Sequence, residues 1–454
     1  MYSGITIHGT IMNITGYSES YTRFSYKKEK KMVTALIIFV LMYVGMLALS
    51  KWRVWFALGG AVAMVVTGVL SVTAVPTAIN WNVIMMITGT MGLVTLFIET
   101  GMPARLADLM LKKMPNACAA IIALCVFSGL VSAFVDNVAT VLMVAPVGLA
   151  ICKKLNINPV PVIISIAVSS NLQGAATLVG DTTSILLGGY AGMSFIDFLF
   201  WQGKFSIFWA VELGALGTVV ILYFIFRKQK QPVTAERLTP VTDHVPGIML
   251  VLVVVCLIIA SFFEIPVIDD IKNGLICMSL FIIELIRNML SRKSTAPLKL
   301  VLKEMDYQTL LMLCGLFTVI AGITEAGIID KIADWFSGLG NGNIFVLYTI
   351  IVFGSVLVSA FVDNIPYVAA MLPVVQGISI KLGINPVVLY FGLLTGATLG
   401  GNITPFGASA NVAGIGILKK EGYTVKNSDF FKIGIPFTFT AVIIGYAFIW
   451  LVWS

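Results

Sequence analysis

Apolar stretches separated by short polar breaks run along nearly the whole chain. The first three cover about 33–49, 54–73 and 81–98, and each reaches the roughly 17–25 residues that a helical membrane span requires. MPARLADLMLKKM (102–114) then places charges at helical spacing and predicts a short surface helix. The next stretch, 116–152, is too long for one span, and its middle holds Ser128, Gly129, Ser132, Asp136, Asn137 and Pro146. That pattern predicts two half-length helices meeting at a tip. Lys112, Lys113, Lys153 and Lys154 bracket the stretch and place both its ends on one side, as in a re-entrant hairpin. Such a tip is tolerated only when buried in protein or facing water.

The stretch at about 160–190 carries NLQGAATLVGDTTS (171–184) at its centre, where two glycines and small polar residues predict unwound backbone. A span near 205–226 and a charged linker, 227–245, with Pro232 and Pro240, follow. The same order then returns as 247–263, 268–289, 307–324, a long split stretch at 343–380, a glycine-broken stretch at 387–417, and 432–452. The letters repeat as well. SAFVDN stands at 132–137 and again at 359–364, KLNINPV (154–160) becomes KLGINPV (381–387), and LQGAATLVG (172–180) aligns with LGGNITPFG (399–407), all 227 residues apart. GTMGLVTLFIETG (89–101) matches GLFTVIAGITEAG (315–327) at a shift of 226.

Each half therefore reads as five spans plus one re-entrant hairpin. An odd number of crossings turns the second copy over, and the expected fold is an all-α polytopic membrane protein built as an inverted repeat with two broken helices. Secondary transporters commonly follow this plan, with substrate held near mid-membrane between the repeats. The expected division is a polar N-terminal tail (1–31, with Met32 as an alternative start), a first repeat (32–226), a cytoplasmic linker (227–245) and a second repeat (246–454).

Composition supports lipid as the solvent. Of 454 residues 58% are hydrophobic and 11% charged, against about 25% charged in ordinary soluble domains. The net charge of +7 is spread over loops and is no nucleic-acid footprint. Most Lys and Arg fall on one side of the predicted topology, which makes the basic loops cytoplasmic in a cell inner (plasma) membrane and both termini external. The six cysteines lie in apolar runs without CxxC spacing, and His8 and His244 are the only histidines. A disulfide framework, a histidine-rich metal site and a Ser-His enzyme are thereby disfavoured. No nucleotide-binding loop occurs, which leaves a separate ATPase as the only route to ATP drive.

Within this apolar body the polar residues stand out. A carboxylate at bilayer depth costs about 2.5–3.5 kcal/mol by insertion scales, so Asp136, Asp363 and Asp181 are expected to meet a cation, a proton or good donors. The competing reading is that Asp136 and Asp363 cap half-helices. Asn137 and Asn364 carry both donor and acceptor atoms, and Ser132, Ser359, Asn171, Thr177, Asn402, Thr404, Ser409 and Asn411 sit at or beside the predicted breaks. Thr182 and Thr183 would add hydroxyl oxygens beside Asp181. Asp181 corresponds to Ala408 in the second half, so the cation-binding character should be greater in the first. Gly174, Gly180, Gly401 and Gly407 are expected to let the backbone bend and approach closely. No cofactor is expected beyond Na+, for which Asp136, Asn137, Asp181 and Asp363 are the candidate ligands. Glu99 and Glu325, at corresponding span ends, read as interfacial or structural.

SAFVDNVATVLMVAP (132–146), NLQGAATLVGDTTSI (171–185), SAFVDNIPYVAAMLP (359–373) and LGGNITPFGASANV (399–412) resemble motifs of the arsenite permease and NhaD-type sodium/proton antiporter family. That family lies in an ion transporter superfamily with the divalent-anion sodium symporters and the melanosomal P protein. The resemblance covers about 32–452. It implies a homodimer working as an elevator, with the early spans of each repeat as scaffold and the hairpins and broken helices as the moving transport part. Asp136-Asn137-Val138 and Asp363-Asn364-Ile365 stand where the anion symporters carry Ser-Asn-Thr. Gly180-Asp181-Thr182-Thr183-Ser184 resembles the NhaD type, and Gly407-Ala408-Ser409-Ala410-Asn411 the arsenite type. The expected function is secondary active transport of a small inorganic ion coupled to Na+ or H+, with arsenite or antimonite efflux, Na+-coupled anion symport and an ion channel as alternatives.

Overall fold

The computed structural model describes residues 29–233, 238–263, 266, 268–339 and 343–454. Most of the expected N-terminal tail lies outside the described residues; its last three, Glu29–Lys31, already belong to the first helix. The protein is an all-α polytopic membrane protein. Among the described residues eight helices are long and apolar enough to cross a membrane, and six apolar helices are shorter. Among the described residues the only strands are a two-residue pair, Phe200–Trp201 and Lys204–Phe205, which the hydropathy pattern does not reveal. Their turn uses Gln202 and Gly203 at φ 49° and 76°, the left-handed geometry that a two-residue hairpin requires.

The chain divides into two compact units. One consists of residues up to Ile79 together with Leu311–Asp334. There the helix Arg53–Val66 packs against the helix that ends at Glu325 so closely that a Cβ on Gly315 would lie 2.7 Å from the Ala57 carbonyl carbon. The expected span at 54–73 is shorter than its hydropathy suggests, because the helix stops at Val66 and Gly68 turns the chain at φ 70°.

The other unit comprises Asn80–Leu310 and Trp335–Ser454. In it the helix Trp81–Glu99 packs along Lys272–Arg292, where a Cβ on Gly89 would stand 2.5 Å from the Cys277 backbone. Met102–Leu111 is the expected short amphipathic helix, and Ile328–Leu339 follows the second half's corresponding span. The long split stretches are helix–tip–helix units: Ala117–Ser132 with Asn137–Leu155, and Ile344–Ser359 with Asn364–Leu382. Their arms are longer than the expected half-length helices, since each second arm has 19 residues and qualifies as a span. Pro146 and Pro373 lie inside those arms rather than at the tips. A proline inside a helix removes one hydrogen bond and bends it, but here it does not end the helix.

The glycine-broken stretches behave as expected. Pro159–Gln173 and Thr182–Ala191 are separated by unwound backbone, as are Val387–Gly400 and Ser409–Lys420, the latter pair with a single 3-10 turn at Gly401–Ile403. Of the charged linker, residues 234–237 lie outside the described set. Its start is tied down by Cys118 N–H and Ala117 N–H, which donate to the carbonyls of Gln229 and Gln231 at 2.9 and 2.8 Å.

Candidate functional site

Each hairpin tip is an aspartate N-cap. Asp136 Oδ2 accepts from the N–H groups of Val138 and Ala139 at 3.0 and 3.1 Å, and Asp363 Oδ1 from that of Ile365 at 3.2 Å. These bonds satisfy donors that the first turn of any helix leaves open, and the carboxylate charge suits the positive helix end. The capping geometry expected as one of two readings is therefore present at both tips. Only Asp136 of the two also lines the central cavity described below.

Behind the tips the broken segments are laced to them in matching fashion. Thr177 Oγ1 donates to the Ala133 carbonyl, and Thr404 Oγ1, 227 residues later, to the Ala360 carbonyl. Ser184 Oγ reaches the Gly174 carbonyl at 3.0 Å, and Asn411 Nδ2 the Gly401 carbonyl at 2.9 Å. Thr177, Thr404 and Asn411 thus hold backbone, and they do not line the cavity. The glycines are sites of close approach. A Cβ on Gly174 would fall 2.6 Å from Asn137 Oδ1, and one on Gly407 would fall 2.6 Å from the Gly401 carbonyl oxygen. Gly180 and Gly401 are as tightly enclosed.

The two tips then part ways. Ser132 Oγ donates to Asn137 Oδ1 at 2.6 Å and accepts from Ser170 Oγ at 2.9 Å, while Asn137 Nδ2 donates to Asn171 Oδ1 at 3.2 Å. Asn171 Nδ2 crosses to the second broken helix, reaching the Thr398 carbonyl at 2.8 Å and Asn402 Oδ1 at 3.0 Å. Asn402 Nδ2 returns to the Val168 carbonyl at 3.0 Å. In the second half Ser359 Oγ instead donates to the Ala397 carbonyl at 2.5 Å, and Asn364 turns to the other half, its Nδ2 3.4 Å from Asp181 Oδ2. That same oxygen accepts from Thr183 Oγ1 at 2.8 Å, and Thr183 stands 3.2 Å from the Thr398 hydroxyl. Asp181 is 6% exposed. Asp181, which stands where the second half has Ala408, thus joins one half's broken helix to the other half's tip.

These groups border a cavity of about 520 Å³. Of the expected site residues, Asp136, Asn137, Asn171, Gly180, Asp181, Thr182, Asn364 and Ser409 line it. Ser132, Thr183, Ser359, Asp363, Asn402, Gly174, Gly401 and Gly407 do not. The structure adds residues that sequence reasoning passed over: Thr90 and Thr95 from Trp81–Glu99, and Glu304, Asp306 and Thr309 near the start of the helix at Tyr307. Asp306 caps that helix, its Oδ1 accepting from Thr309 N–H at 3.0 Å. Glu304 and Asp306 fall in a polar break between expected spans, which made them look like loop residues. Thr398 was findable, since it is Asn171's counterpart at the 227 shift.

Five carboxylates, those of Glu99, Asp136, Asp181, Glu304 and Asp306, border the cavity, and no Lys or Arg is among its described lining residues. Glu99 is held at one edge by Arg292 Nη1 at 2.6 Å, in keeping with the structural role expected for it. Among the described residues no group of three or more His, Cys, Asp or Glu side chains is placed to hold a metal ion. A Na+ ion here would therefore draw on at most two carboxylates, with amide, hydroxyl and backbone oxygens of the tips and breaks making up the rest.

Residues 35–396 match the family described as Citrate transporter (CitMHS). The chain is 31% identical over 441 residues to the uncharacterized transporter Mb2703 of Mycobacterium bovis, covering 92% of this chain and 98% of that protein. It is 24% identical over 498 residues to the human P protein, covering 92% of this chain and 58% of that one. The YdaH transporter of Alcanivorax borkumensis shares the fold at TM-score 0.60 and 13% identity, over 84% of this chain and 87% of that one. MtrF of Neisseria gonorrhoeae does so at 0.55 and 14%, over 93% and 94%. The P protein match agrees with the superfamily that the motifs resemble, whereas the matching family is the citrate transporters and not specifically the arsenite permeases or NhaD-type antiporters. With a matched region that spans most of its length, this secondary-active-transporter-like membrane protein belongs to the citrate transporter family.

Proposed function

We propose that the chain carries a small ion across the membrane by alternating access, coupled to Na+ or H+, with Asp181 and Asp136 as the coupling groups. The observation that carries this reading is the cavity, bordered by both tips and both broken helices, rich in carboxylates and without a described basic lining residue. A buried, uncompensated carboxylate is costly in lipid. Loading by a proton or Na+ would neutralise it and let the binding elements cross, while the empty charged form is held back. Asp181 is the better placed of the two, because its Oδ2 bonds to both Thr183 and Asn364. Neutralisation would change the tie between one half and the other. Matching capping and lacing bonds 227 residues apart support two related halves, and the resemblance adds that they are inverted and move as an elevator in a homodimer.

In reconstituted vesicles Asp181→Asn is expected to abolish the dependence of transport on the Na+ or pH gradient while the purified variant stays folded. Unchanged ion dependence in that variant would refute the coupling role.

A second reading rests on the family match, which points to citrate. A free tricarboxylate would meet five carboxylates in this cavity, so citrate would enter only with its charge offset by cations or protons. Uptake of citrate that ignores both would contradict this version. Arsenite or antimonite, the other expectation, would be bound by amides and hydroxyls, since none of the six cysteines lines the cavity.

A further inference from the structure

We propose that a groove on the flank of the first hairpin binds one anionic phospholipid. The groove encloses about 920 Å³ and shares no lining residue with the central cavity. One wall is a single face of the helix Ala117–Ser132, presenting Ala119, Val126 and Leu130 at positions spaced by seven and four. Val126 and Leu130 are 40% and 54% exposed, and from Ala119 to Leu130 the face runs for about 16 Å of helix. An apolar strip of that length suits an acyl chain.

The other end of the groove is basic. Arg227, at the end of the helix Ile207–Phe226, and Lys230, in the linker, both line it. Neither forms an ion pair among the described residues. The Arg227 guanidinium lies over the Phe224 ring at 5.3 Å, and the linker beside Lys230 is fixed by the bonds from Ala117 and Cys118. Those bonds, with Ala119 N–H donating to Asn116 Oδ1 at 3.0 Å, already occupy the first N–H groups of the hairpin helix. A bound anion therefore has the two cationic side chains to meet it, and the helix end is spoken for. A soluble anion would have no use for the apolar wall, and a zwitterionic lipid none for two unpaired cations. Basic pockets between membrane helices hold anionic lipid headgroups for this reason.

The test uses the purified full chain in mixed micelles offered equal amounts of phosphatidylglycerol and phosphatidylcholine, with retained lipid counted by native mass spectrometry. One phosphatidylglycerol should be retained in preference, and R227A/K230A should lose that preference, by about fivefold per cation removed. The charge-conserving variant R227K should keep most of it. A123W, which fills the groove from the helix side, should lower retention of the bound lipid although both cations remain. Monodisperse elution and unchanged helicity identify folded variants. Equal retention of the two lipids by the wild type overturns the proposal, as does an undiminished preference in folded R227A/K230A. Exclusion of both lipids, with Leu130→Cys cross-linking two copies across this face, overturns it too.

Discussion

At the scale of single residues, space and charge decide which substitutions matter. Gly174 and Gly354 both lie in apolar stretches, yet a Cβ on Gly174 would press on Asn137 and Asp181 at 2.6–2.8 Å while one on Gly354 meets nothing within 4 Å. Overpacking of a tight site costs about 1–3 kcal/mol, whereas glycine in an open helix interior is worse than alanine by roughly 0.5–1 kcal/mol. Gly174→Ala should therefore lower the unfolding temperature and Gly354→Ala should raise it or leave it unchanged, as measured by thermal unfolding in one detergent. The polar residues in the apolar runs were legible as a candidate site because lipid makes an unneeded carboxylate expensive. Which of them border the cavity was not legible. Thr183 and Thr182 are neighbours in the chain, but one backs onto Asp181 and Thr398 and the other faces the cavity.

At the scale of elements, the hairpins and broken helices work as pairs. Thr177 and Thr404 each fasten an unwound segment to the carbonyl that ends the first arm of its own half's hairpin. Hydrogen bonds between membrane helices are worth about 0.6 kcal/mol on average and at most about 1.7. Thr177→Val and Thr404→Val should each cost that little. Because the two ties share no partner, the double variant should lose the sum, which unfolding of all three proteins would reveal. A large excess would mean the halves brace each other through these threonines. Element type followed from hydropathy, but element length did not. Arg53–Val66 ends short of its apolar run at a glycine turn, and the second hairpin arms run on through Pro146 and Pro373.

Across the whole chain, the two halves meet through Asn171. Its amide bonds the Thr398 carbonyl and Asn402 Oδ1 from one side and receives Asn137 on the other. Removing a buried partner costs about 1–3 kcal/mol because the groups left behind lose their bonds. Asn171→Ala should therefore destabilise more than either threonine variant. In a double-mutant cycle with Asn402→Ala the two effects should be strongly non-additive, and additive losses would break the proposed bridge.

By itself the sequence determined that the chain lives in a membrane, that its architecture is helical, that it repeats, and where its backbone is interrupted. Those properties follow from local hydropathy, glycine content and the recurrence of identical letters. Only the tertiary structure decided how the copies differ in use. Asn137 locks into its own half and Asn364 turns to Asp181, because the surroundings of each tip offer different partners, and the cavity's acidic border draws Asp306 and Glu304 from a segment far along the chain. Such convergence depends on distances in space, which no periodicity along the chain encodes.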